Sequence, residues 1–119
     1  VKQIIIVDDN QAFAYFLGST LKAHGFDVHH FSNCDESLAF ITNGGHDPHY
    51  ALLDLYIDNK VCDDFARTVR DALPHATIIL MSGTSTKMDI LNELLKQKVI
   101  DHFLKKPFDF NDLMNVMAV

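Results

Sequence analysis

Residues 4–10 read IIIVDDN, four apolar residues fit for complete burial followed at once by two acids, Asp8 and Asp9. Three isoleucines and a valine are all β-branched, so the run reads as a strand with both faces covered. Strands of that kind belong to parallel sheets sandwiched between helices. Four more short apolar or β-branched runs follow, at Val28 to Phe31, Ala51 to Asp54, Thr77 to Met81 and His102 to Leu104.

Helical spacing fills the gaps between these runs. Phe13, Leu17 and Leu21 recur every four residues, as do Phe65, Val69 and Leu73; Leu91 with Leu95 does likewise, and Phe110, Leu113, Met114 and Met117 mark a last stripe. Start and stop signals agree with that division. Asn33 with Glu36 reads as a capping box, Thr86 with Asp89 as a further opening, Asp63-Asp64 as the favourable charge of a helix start, and Gly25 and the Gly44-Gly45 pair as terminators. Five strands alternating with helices, joined by right-handed crossovers, predict an α/β fold of the flavodoxin-like, doubly wound kind. It has a five-stranded parallel sheet in the order 2-1-3-4-5 and helices on both faces. The His29-His30 pair makes the second strand the most polar, which suits an edge.

Composition bounds what such a domain does. A chain of 119 residues is one domain, and its 48% hydrophobic content excludes disorder. The apolar runs are far below the roughly 20 residues a membrane helix needs, and no signal segment opens the chain, so a soluble cytoplasmic domain is expected. A net charge of −6 argues against direct binding to nucleic acid or an anionic membrane. Cys34 and Cys62 belong to no metal-spaced set and read as small buried thiols of a reducing compartment rather than a disulfide. The His46-x-x-His49 spacing lacks a third ligand.

The two acids after the first strand make sense only in the assembled sheet. All parallel strands end on one rim, so Asp8 and Asp9 share it with Asp54, which ends the run ALLD (51–54) one strand away, about 4.8 Å across. At such separations each like-charged pair costs on the order of 3 kcal/mol at an effective dielectric near 20. A divalent cation relieves that cost, and all-oxygen ligands select a hard one such as Mg²⁺. LMSG (80–83) adds the hydroxyl of Ser82 and the small Gly83, and FLKKPF (103–108) adds Lys105, Lys106 and Pro107. Lys106 is expected to point inward and Lys105 to be solvated. An acidic pocket with a hydroxyl and an ammonium suits a phosphoryl group on Asp54, the carboxylate acting as nucleophile.

VDD, LLDL, LMSG and FLKKPF, each after its own strand and in this order, resemble the receiver domain of two-component response regulators, the superfamily that includes the free-standing chemotaxis receiver. The resemblance spans the whole chain, read as one receiver domain over 1–119. It implies that Asp8, Asp9, Asp54 and the backbone carbonyl of Tyr56 hold Mg²⁺, and that Asp54 accepts a phosphoryl group from a sensor histidine kinase or a phosphotransfer protein. It further implies that Ser82, Gly83 and Lys106 bind the phosphate, and that Ser82 and Phe103 are the switch residues. A cis Lys106–Pro107 bond is implied too. The phosphorylated domain would change its contacts through the face of helix four, strand five and helix five, with a downstream protein, a fused output domain or a second copy through helices four and five. Such a domain catalyses only its own phosphorylation and dephosphorylation.

The chain departs from the family pattern after Asp54. It reads DLYIDNKVCDDF (54–65), with Asp58 in place of the usual proline and no glycine, so a reshaped loop is expected before the third helix. Tyr56 is bulky enough to screen an acyl phosphate from water. Two alternatives stay open: a pseudo-receiver that is never phosphorylated, and a phosphohydrolase with an aspartate nucleophile, which would need a second acid where Tyr56 stands. The chain lacks an initiator Met and its last helix, from Asp109 to Val119, ends without a cap, so a piece of a larger protein is expected.

Overall fold

The five β-branched runs form one parallel sheet. The computed structural model of the chain describes residues 2–44, 46–58, 60–83 and 88–117; the expected helix opening at Thr86, the second glycine of the 44–45 pair and the terminal Val119 lie outside them. The strands are β1 (Gln3–Val7), β2 (Asp27–Phe31), β3 (Tyr50–Asp54), β4 (Tyr56–Ile57), β5 (Lys60–Val61), β6 (Thr77–Ser82) and β7 (His102–Lys105). The main sheet runs β2-β1-β3-β6-β7, which is the expected 2-1-3-4-5 once the two-residue strands β4 and β5 are set aside. Those two pair antiparallel as a hairpin between β3 and the third helix, in the stretch where the missing proline and glycine led a reshaped loop to be expected.

Five helices accompany the sheet: α1 (Gln11–Ala23), α2 (Cys34–Thr42), α3 (Asp63–Ala72), α4 (Met88–Lys96) and α5 (Phe110–Met117). Strand alternation divides the core in two. Ile5, Val7, Ala51, Leu53, Ile78 and Leu80 face Ile41 of α2, Phe65 and Val69 of α3 and Leu91 and Leu94 of α4. Ile4, Ile6, Tyr50, Leu52, Ile79 and Met81 face Leu17 and Leu21 of α1 and Leu113 and Met117 of α5. The helical stripes therefore land on the sheet, with Leu94 taking the buried place on α4 while Leu95 is only half-buried.

Local chemistry sets the ends. Asn10 Oδ1 accepts the Phe13 N–H at 3.1 Å and Asn33 Oδ1 the Glu36 N–H at 2.9 Å, capping α1 and α2. Gly25 follows α1 at a φ of 92°, where a Cβ would be strained. Asp63 and Asp64 occupy the first turn of α3. At the edge, β2 carries His29 half-buried and His30 exposed. No described helix is long and apolar enough to cross a membrane.

Candidate functional site

The strand register delivers the acids to one place. Val7 pairs with Leu53 and Asp54 with Met81, so the residues just past β1, at the end of β3 and at the end of β6 meet on the carboxyl rim. The Asp8 N–H extends the ladder to the Phe31 carbonyl at 3.0 Å and the Leu55 N–H reaches the Met81 carbonyl at 2.8 Å. One carboxylate oxygen from each of Asp8, Asp9 and Asp54 lies within 4.8 Å of the others. Asp8 and Asp54 are buried and Asp9 is exposed.

Each acid is held by a different neighbour. Asp8 Oδ1 accepts the Asn10 N–H at 2.9 Å, and its Oδ2 takes the Lys106 ammonium at 2.6 Å. Asp54 Oδ1 accepts the Tyr56 N–H at 3.2 Å, and its Oδ2 lies 3.5 Å from the same ammonium. Asp9 Oδ2 accepts the Asp58 N–H at 3.0 Å. Asp58 sits at a φ of 55°, a left-handed turn conformation that Asp tolerates better than most residues. Lys106 thus points inward and Lys105 is exposed. The Lys106 ammonium also lies over the Phe13 ring, 4.3 Å from its centre.

Three carboxylates face one ammonium, and the charge left over shows in Asp54. Burial pushes its carboxyl up to about 6, the charge of Asp8 adds to the rise, and Lys106 and the Tyr56 N–H only partly oppose it. An ionised Asp54 is therefore a destabilised anion at neutral pH. The donors fit a small hard divalent cation: they are all carboxylate oxygens, two of the three are desolvated, and one ammonium only partly compensates their charge. Among the described residues no other group of three acids, thiols or imidazoles converges in this way.

The other expected site residues surround this cluster. Ser82 is buried at the end of β6, and its carbonyl accepts the Lys106 N–H at 2.6 Å. Gly83 follows it, and a Cβ there would meet none of the described residues within 4 Å. Tyr56 opens the hairpin, half-buried against the α3 and α4 side of the core. Phe103, half-buried on β7, pairs with Leu80 two positions short of the rim and packs against the same core. The Lys106–Pro107 peptide is cis.

Two contributors escaped the sequence. The His30 ring nitrogen Nε2 lies 3.0 Å from the Asp8 carbonyl and orients that peptide from the edge strand. The backbone N–H of Asp58, rather than its charge, engages Asp9. No spacing rule signals either, since both depend on where the sheet edge and the hairpin fall. The His46-x-x-His49 pair has structural partners: His46 stacks on Phe40 with ring centres 3.8 Å apart, and His49 Nδ1 accepts the Gln3 N–H at 3.2 Å.

Known proteins share this fold. The response regulator receiver domain family matches residues 4–118. The photosynthetic apparatus regulatory protein RegA of Rhodobacter capsulatus is 25% identical over 116 residues, which cover 98% of this chain and 61% of RegA. A second RegA, from Rhodovulum sulfidophilum, is matched over 58% of its length, so the chain spans about three fifths of these curated relatives. A response regulator protein from Burkholderia pseudomallei, solved with a phosphorylated aspartic acid, a calcium ion and citrate, is similar at a TM-score of 0.80 and 23% identity over 98% of this chain and 66% of that one. TrrA from Thermotoga maritima, solved in complex with Mg²⁺ and BeF, is similar at a TM-score of 0.79 and 23% identity over 99% of this chain and 97% of that one. With the strand order in place and the match running from the first strand to the last helix, the chain belongs to the response regulator receiver domain family.

Proposed function

We propose that this domain is a phosphorylation switch whose acceptor is Asp54, loaded from the phosphohistidine of a sensor histidine kinase or a phosphotransfer protein. The observation that carries the reading is the meeting of Asp8, Asp9 and Asp54 within 4.8 Å, with the Lys106 ammonium between two of them. The phosphorylated aspartate in the Burkholderia protein supports it by analogy. An Asp54 oxygen attacks phosphorus, an O–P bond forms as the N–P bond breaks, and the departing imidazole keeps the electron pair. A Mg²⁺ held by Asp8, Asp9, Asp54 and the Tyr56 carbonyl would neutralise the phosphoryl oxygens.

Lys106 then has a better partner than Asp8, and its ammonium transfers to a phosphoryl oxygen. The Ser82 hydroxyl and the Gly83 N–H supply neutral donors beside it. As the Ser82 side chain turns toward the phosphate, Phe103 fills the space behind it, and the face of α4, β7 and α5 repacks. The output is a changed protein contact: a cytoplasmic partner, a fused output domain, or a second copy through α4 and α5. The longer RegA relatives support an origin in a larger protein. Tyr56 stands where a phosphohydrolase needs its second acid, and the contact of Lys106 with both buried acids disfavours a pseudo-receiver.

Intact-mass spectrometry after treatment with acetyl phosphate and Mg²⁺ tests the assignment. The wild type gains one phosphoryl group that is lost in hydroxylamine, and Asp54→Ala gains none. An Asp54→Ala protein that still took up the label would exclude Asp54 as the acceptor.

A further inference from the structure

Cys34 and Cys62 are 28 positions apart in the chain, yet the fold seats them together. Cys34 is the first residue of α2 and Cys62 is the N-cap of α3. Both are half-buried, both pack against the same core cluster, and both line one open cleft of about 280 Å³ beside the β4–β5 hairpin. Both thiols border this cleft, where the Cys62 thiol donates to the Lys60 carbonyl at 3.4 Å and each thiol is near enough to act on the other's ionisation. Each is fixed at its backbone. The Cys62 N–H donates to the Leu55 carbonyl at 2.7 Å, and the Cys34 carbonyl accepts the Ser37 hydroxyl at 2.7 Å.

We propose that Cys34 and Cys62 are a modification site, oxidised by a low-molecular-weight disulfide to an intramolecular cystine that staples the start of α2 to the start of α3. One thiol, as its thiolate, attacks the reagent disulfide and releases one reduced thiol. The second then attacks the mixed disulfide and releases another, so two protons and two electrons pass from the pair to the reagent. This rests on the meeting of the two thiols and not on the phosphoryl chemistry.

The surroundings set the character of the pair. Burial and the nearby Asp35 and Asp58 hold Cys34 in its thiol form, with its ionisation pushed up to about 12, and burial raises Cys62 as well. Such thiols attack slowly. They are also poor leaving groups, so the cystine resists reduction once formed. The staple would sit against the hairpin whose Asp58 N–H holds Asp9, which places it beside the acidic cluster.

The test incubates the folded chain with oxidised and reduced glutathione in graded ratios, then reads intact mass, free thiols and a peptide map without reductant. The expected product is monomeric, lacks two hydrogens and both free thiols, and yields a Cys34–Cys62 peptide. Closing a loop of this length should raise the melting temperature by roughly 10 °C or more over the reduced form, and dithiothreitol should reverse the rise. Cys34→Ser and Cys62→Ser should each show no rise. Separate glutathione adducts, a disulfide-linked dimer, thiols unchanged even in excess oxidised glutathione, or a cystine without added thermal stability would overturn the proposal.

Discussion

Replacing Asp54 with Asn should stabilise the metal-free domain at neutral pH while abolishing its proposed chemistry. The carboxyl is raised from 3.8 to about 6 in the folded protein. At about 1.4 kcal/mol for each pH unit, that difference means the ionised group destabilises the fold by about 3 kcal/mol once the pH is well above 6. The sign follows from proton binding. Between the two values the folded state holds a proton that the unfolded chain has released, so this group's favourable contribution is complete below 3.8 and lost as the pH rises through about 6. An amide keeps the shape and can still accept the Tyr56 N–H, and the pull of Lys106 is already contained in the raised value, but the amide N–H₂ replaces the oxygen that lies 3.5 Å from that ammonium. The net gain should therefore be about 1–3 kcal/mol. Urea unfolding followed by circular dichroism in EDTA should show that gain at about pH 7.5, shrinking by roughly half at about pH 5 and toward zero only below about pH 4, where both states of the wild type hold the proton. Saturating Mg²⁺ should favour the wild type instead, by about 2.7 kcal/mol at a hundredfold excess over the dissociation constant. An Asn variant no more stable than wild type in EDTA at neutral pH, or an advantage that does not change with pH, would refute the crowding argument.

Two further substitutions probe other parts of the molecule. Tyr56→Asn removes the half-buried ring at the mouth of the cluster, and the acyl phosphate should then hydrolyse several-fold faster, measured as decay of the phosphorylated mass; equal lifetimes would show that the ring does not screen it. Arg70→Ala should cost about 2–4 kcal/mol in denaturant unfolding without changing phosphorylation by acetyl phosphate. Arg70 donates to the Val99 carbonyl at 2.9 Å, the Ala76 carbonyl at 2.8 Å and Asp101 Oδ2 at 2.7 Å, while the same Asp101 oxygen accepts the Ile78 N–H at 2.8 Å. Arg70→Lys should recover little, because an ammonium does not reproduce that fork; full recovery would reduce the contact to simple charge.

The local pattern of residues carried the sheet. Burial on both faces of IIIV and LLD demands helices above and below, and once the strands are parallel, Asp8, Asp9, Asp54 and Ser82 must share a rim, because side-chain alternation and strand spacing allow nothing else. The inward course of Lys106 was legible through the receiver resemblance, which singles out the lysine directly before Pro107. The departure after Asp54 announced a changed loop, but not that the loop pairs as a hairpin or that its Asp58 N–H would seize Asp9. Nor did periodicity reveal that Lys106 lies closer to Asp8 than to Asp54, that Arg70 ties α3 to residues 29 and 31 positions further on, or that Cys34 and Cys62 meet. Each of these depends on how far a helix is rotated and shifted over the sheet. Many side chains determine that packing together, whereas strand direction and facing follow from a few neighbouring residues.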